Sequence, residues 1–172
     1  STQGMALSEK YAYSAQVNGN NTTCSIMRVD LETGKNILMK DGTSSRTYFR
    51  NKLAHANDMD WARIDGVEYL FIISESNMMI YEIRDDALIL TYEYKSRSGG
   101  SAFIPGSFGI RSITEEKITF LFKSGIYVSQ GSVKTGSKSG NLNVEAICTL
   151  DYTGFELDGR PCDISSFLNQ GM

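Results

Sequence analysis

The chain has 172 residues, 41% hydrophobic and 22% charged, with a net charge of −3 and a pI near 5.2. That composition supports a packed core and excludes global disorder, while the acidic balance and scattered Lys and Arg argue against a nucleic-acid binder. No run approaches the about 18 apolar residues of a membrane helix, and Ser1-Thr2-Gln3-Gly4 lacks the basic and apolar start of a signal peptide.

In chain order, Gln3-Gly4-Met5 opens an alternating segment, with Met5 as its apolar anchor, and a second strand follows at Tyr11 to Ala15. Alternation continues at Ser25 to Val29. The turn Asp30-Leu31-Glu32-Thr33-Gly34-Lys35 then leads to a closing strand at Asn36 to Met39. The same order of events begins again at Ala56-Asn57-Asp58-Met59. Tyr69 to Ile73 is an unbroken apolar run, which predicts burial on both faces. Met79 to Ile83 and Ala87 to Tyr92 complete that unit, and Ser96 to Ser101 reads as a flexible connection. A third unit starts at Ser107-Phe108-Gly109-Ile110 and continues through Ile118 to Phe122, Ile126 to Val128 and Val144 to Leu150. Within it, Gln130 to Asn143 reads as an exposed Gly/Ser/Lys hairpin tip. Asp163 to Leu168 is the one candidate helical turn, and Gln170-Gly171-Met172 repeats the opening triplet.

The spacings Met5 to Met59, Met59 to Ile110 and Ile110 to Met172 are 54, 51 and 62 residues. Four short strands at such a period predict an all-β, β-propeller-like fold of three four-stranded repeats. The units run over about 1–54, 55–106 and 107–168 of a single domain, 1–172, with 169–172 opening a further repeat. The Gln-Gly-Met or Ala-Asn-Asp-Met opening, the Tyr-rich second strand and the Asp-Leu-x-Thr-Gly-Lys turn resemble those of bacterial β-propeller repeat proteins. The resemblance implies a fold and carries over no catalytic residues. Closed propellers have about four to eight blades. Three units therefore point to a fragment, to a second chain or copy that completes the ring, or to an open sheet.

His55, Asn57 and Asp58 form the most suggestive cluster. His55 is the only histidine, and the cluster precedes a strand that would lie near a propeller axis. His55 with Asp58 is a candidate acid–base pair or sugar contact; the structural alternative is an Asx turn with His55 capping a loop. No cofactor is expected. Calcium is the one alternative considered, through Asp58, Asp60 and Asp65, although the run lacks the spacing of an EF-hand and a completing Glu. Gly131 to Ser139 falls short of a P-loop because Ser137 stands where Lys is needed.

Trp61 and Tyr92 are candidates for stacking on a sugar or peptide, against a plain core role shared with Tyr94. Tyr48-Phe49-Arg50 reads as a surface-exposed loop group, with Tyr48 a candidate ligand contact alongside Trp61, His55, Asn57 and Asp58. Cys24, Cys148 and Cys162 read as small hydrophobes, with a Cys148–Cys162 bridge as the alternative. With no nucleophile elbow and one histidine, the expected function is a non-catalytic binding or interaction module. It would recognise a glycan or protein through loops between blades, in a secreted or cell-surface bacterial protein. The alternatives are a hydrolase or lyase using His55 and Asp58, and a structural part of a larger propeller.

Overall fold

The computed structural model describes residues 2–50, 53, 55–151, 153–154 and 156–162. The candidate turn at Asp163 to Leu168 and the closing Gln170-Gly171-Met172 lie outside them. Among the described residues the chain is all-β, without an α-helix. No helix there is long and apolar enough to cross a membrane.

The first unit comprises β1 (Thr2–Leu7), β2 (Tyr11–Val17), β3 (Thr23–Asp30) and β4 (Asn36–Leu38), then the short β5 (Lys40–Asp41) and β6 (Phe49–Arg50). The second comprises β7 (Asp58–Ile64), β8 (Val67–Ser74), β9 (Asn77–Arg84), β10 (Ala87–Ser98) and β11 (Ser101–Ala102). The third comprises β12 (Ser107–Ile113), β13 (Lys117–Ser124), β14 (Tyr127–Lys134) and β15 (Ser139–Thr149), and a small hairpin follows of β16 (Glu156–Leu157) and β17 (Arg160–Pro161).

Each unit is an antiparallel meander. β1 to β4 form one sheet in sequence order, with β6 added to β3. The other two units share a single sheet in the order β12-β13-β14-β15-β10-β9-β8-β7. They join because β15 peels away from β14 and runs parallel to β10, pairing Glu93–Arg97 with Ser139–Asn143. The outer strands β7 and β12 come together again at the far side, so the eight-stranded sheet is nearly a closed barrel.

Two cores lie between the units, and the long strands of the second unit, β7 to β10, contribute to both. On β8, Leu70 and Ile72 enter the first core with Tyr13, Ala15, Ile26 and Met59, while Phe71 and Ile73 enter the second. The unbroken apolar run predicted this double burial. The second core is aromatic: Phe120 has Phe71, Phe108 and Phe122 within about 6 Å, ring centre to ring centre.

Several expectations are corrected. Gln130 to Asn143 is strand on both sides of a four-residue turn, because Val133, Leu142 and Val144 are core residues whose alternation the Gly and Ser neighbours mask. Gly131 belongs to that strand, since a Cβ there would lie 2.8 Å from the Asn143 carbonyl oxygen. Ser96 to Ser98 continues β10, with Ser96 fully buried. Phe49 is buried against Tyr81 at 5.9 Å rather than surface-exposed. All three cysteines are free: Cys24 is buried and its thiol pushed up to about 12 by that burial, while Cys148 is exposed and not bridged to Cys162.

Met5, the expected anchor, is 61% exposed, and Gly4 and Ala6 face inward instead. Gly4 lies against the backbone of β7. A Cβ there would sit 2.7 Å from the Cα and carbonyl carbon of Asp58 and 2.8 Å from the Met59 nitrogen. Backbone cannot swing aside as a flexible side chain can, so Gly4→Ala is expected to lose about 1–3 kcal/mol, the range for overpacking. Urea unfolding against a Met5→Ala control checks this, and a Gly4→Ala midpoint equal to wild type would refute it.

Candidate functional site

Asp58 and Asp60 are two residues apart on β7 and so share one face, turned toward β12. Asp58 Oδ1 accepts the N–H of Met59 at 2.9 Å, and its Oδ2 accepts that of Phe108 at 3.1 Å. Asp60 repeats the arrangement, with Trp61 N–H at 2.8 Å on Oδ1 and Ile110 N–H at 2.8 Å on Oδ2. The two carboxylates thus stand in for ladder hydrogen bonds across the seam where the barrel sheet nearly closes, satisfying amides that would otherwise be orphaned. Burial pushes the Asp58 carboxyl up to about 6. The Phe108 and Met59 amides pull against that rise, and the charge of Asp60 adds to it. Asp65 lies at the opposite end of β7, in the turn with Gly66, so it does not join Asp58 and Asp60. Among the described residues no three His, Cys, Asp or Glu side chains converge as metal ligands.

His55 and Asn57 are fastened to the β8–β9 turn. Ser74 Oγ accepts the N–H of His55 at 3.4 Å and of Ala56 at 3.2 Å, and Asn57 Oδ1 accepts that of Glu75 at 2.7 Å. Asn57 therefore acts as a loop-bracing side chain, in keeping with the structural alternative. The His55 Nδ1 and Trp61 Nε1 atoms are buried without a hydrogen-bond partner. Trp61 packs on the first core with Arg63 5.5 Å from its ring centre, so it is not an open platform. Tyr48 is half-buried between Arg46 and Arg50, and its hydroxyl accepts from Arg50 at 3.2 Å.

A cleft of about 260 Å³ opens at the other end of the β7–β8 hairpin, between the second and third units. Tyr69, Tyr92 and Tyr94 wall it, over a floor that includes Ile80 and Ile118. A bulge in β10 puts two of these rings there. Leu90 pairs with Tyr81 and Tyr92 with Ile80, so Thr91 is the extra residue and the facing reverses. Leu88 and Leu90 before it turn to the first core, while Tyr92 and Tyr94 after it turn to the second.

The Tyr94 hydroxyl donates to the Ser137 carbonyl, which ties the β14–β15 turn to the wall. Tyr69 and Tyr92 lie 6.4 Å apart, and among the described residues neither hydroxyl has a hydrogen-bond partner. Burial raises the Tyr69 hydroxyl, and the neighbouring Tyr92 adds to the rise, so it stays a neutral donor at physiological pH. Asp65 and Lys134 stand at the rim, and neither is ion-paired within the described residues.

Tyr92 and Tyr94 were visible in the sequence as aromatics. Their convergence with Tyr69 and Lys134 was not, because it depends on one bulge and on the pairing of two units. The site residues therefore separate into a fastened loop at His55 and Asn57, a strand-bridging pair at Asp58 and Asp60, and a tyrosine cleft at the opposite end. No family model matches the chain, and none of the curated proteins is significantly similar to it.

Proposed function

We propose that the chain is a non-catalytic binding module, built as an arc of propeller blades, whose tyrosine cleft takes one ring of a glycan. The observation that carries this is the pair Tyr69 and Tyr92, two phenols with unpartnered hydroxyls above an apolar floor. A pyranose offers a C–H face to such rings and hydroxyls to Asp65, Lys134 and the phenols. The cleft is smaller than the about 300–1,000 Å³ of common small-molecule pockets, which suits a single ring. The propeller reading is supported by three successive four-stranded meanders, with β7 beside both β1 and β12. A catalytic reading through His55 and Asp58 has less support, because each Asp58 oxygen is already taken by a backbone N–H.

A glycan array followed by calorimetric titration tests the proposal. Wild type is expected to retain a limited set of sugars. Tyr92→Ala is expected to weaken binding about 5- to 10-fold, as loss of one aromatic contact of about 1 kcal/mol requires, while still unfolding in one cooperative transition. Retention of no sugar, or equal affinity in Tyr92→Ala, would count against the cleft.

A further inference from the structure

The first unit presents an uncovered apolar sheet face. On β1, Gly4 and Ala6 turn toward the second unit, so Met5 and Leu7 turn away from it, at 61% and 57% exposure. Cross-strand pairing extends the patch: Met5 lies opposite Ser14, Ser14 opposite Met27 and Met27 opposite Leu38, while Leu7 lies opposite Ala12 and Ala12 opposite Val29. Six of the side chains on these two rows are apolar, and Leu38 is exposed as well.

The other two units show what such a face is for. Met59 and Trp61 occupy on β7 the places that Met5 and Leu7 occupy on β1, 54 residues earlier. Both pack into the first core, which the first unit closes with Ala6, Tyr13, Ala15 and Ile26. In the third unit Phe108, Phe120 and Phe122 are covered in the same way by Phe71, Ile73 and Met78 of the second. Every unit with a neighbour on that side therefore buries this face beneath the neighbour's apolar side.

A second copy of this chain fits poorly as the cover. The side of the third unit that faces away from the second sets charged and polar groups among its apolar Leu121 and Val128. It carries Arg111 hydrogen-bonded to Gln130, buried Thr119, and Lys123 donating to the Gly125 carbonyl at 2.9 Å. Seated on Met5 and Leu7, that surface would bury charge without a partner.

We infer that the face of Met5, Leu7, Met27 and Val29 is a docking surface for a further four-stranded unit of this repeat. Such a unit presents an apolar side like that of the first or second unit and is joined ahead of β1 as the first unit is joined ahead of β7. The inference rests on the observed stacking of units and not on the glycan reading, which it neither needs nor supports.

The test fuses a copy of residues 2–57 directly ahead of Gly4, which preserves the spacing from Gly4 to Asp58, and follows methionine oxidation by dilute hydrogen peroxide with peptide mass spectrometry. In the unfused chain Met5 is expected to oxidise fast and buried Met59 slowly. In the fusion, oxidation of this Met5 is expected to slow about 10-fold or more, and Leu7→Asp in the fusion is expected to restore the fast rate. Unchanged Met5 oxidation in a fusion that still protects Met59 overturns the inference. So does concentration-dependent protection of Met5 in the unfused chain, which would make a second copy the occupant. If the first fusion loses Met59 protection, a fusion carrying residues 55–107 replaces it, and loss of protection in both counts against a seated unit.

Discussion

Phe120→Ala is expected to destabilise the chain by about 3–5 kcal/mol, the cost of emptying a phenylalanine site in a packed core. Phe120 is fully buried, and its ring centre lies 5.9 Å from Phe71, 6.1 Å from Phe108 and 6.0 Å from Phe122. These rings come from β8, β12 and β13, on both sides of the barrel seam, so no single strand can shift to fill the hole. At about 2–4 °C per kcal/mol for a chain of this size, the unfolding midpoint should drop by roughly 10–15 °C. Thermal and urea unfolding measure this directly. A loss below about 1 kcal/mol would mean that the second core is not the tight aromatic cluster described.

The second large effect is a pH dependence centred on Asp58. Its folded carboxyl is raised to about 6 by burial, against about 3.9 in an unfolded chain. Between those values the folded state holds a proton that the unfolded state has released, so stability from this group falls as pH rises. The contribution is complete below about pH 4 and lost by about pH 6, and the shift corresponds to roughly 2–3 kcal/mol. The difference in unfolding free energy between wild type and Asp58→Asn, taken at pH 4 and at pH 7, isolates the group. Asp58→Asn is expected to gain on wild type by that amount between the two pH values. A gain by wild type instead would show that the bonds from Phe108 and Met59 to the carboxylate outweigh its burial. Asp58→Ala should be worse than Asn at both, by about 1–3 kcal/mol, because it leaves buried amides unpaired.

Much of the strand pattern was legible. Tyr69 to Ile73 was readable as a doubly buried strand because five consecutive apolar residues leave no polar face. The turn at Asp30 to Lys35 was readable because Gly34 takes the positive φ it requires. β15 was not readable in its first half, since Ser139, Gly140, Asn141 and Asn143 carry turn chemistry. That segment is a strand only because β10 lies beside it, and a pairing partner about 46 residues away leaves no local signal. The exposure of Met5 was legible only as what a structural part of a larger propeller would show, for a similar reason. Repeat spacing aligns it with Met59, and only the stacking of units shows that one is covered and the other bare. The tyrosine cleft hinges on Thr91, an ordinary strand residue whose bulge has no signature in sequence.

The shared strand order also bears on how the chain comes apart. Units two and three are stitched by five consecutive residue pairs of backbone ladder between β10 and β15. The first unit is held to them by side-chain packing, by two residues of β5 on β10, and by exposed ties such as Lys40–Asp86 and Arg63–Glu9. Opening the larger sheet means breaking a continuous hydrogen-bonded network, whereas opening the first unit mainly means parting two apolar faces. The chain is thus divided, by its own connectivity, into a cooperative two-unit block and a leaf that can swing open before that block melts.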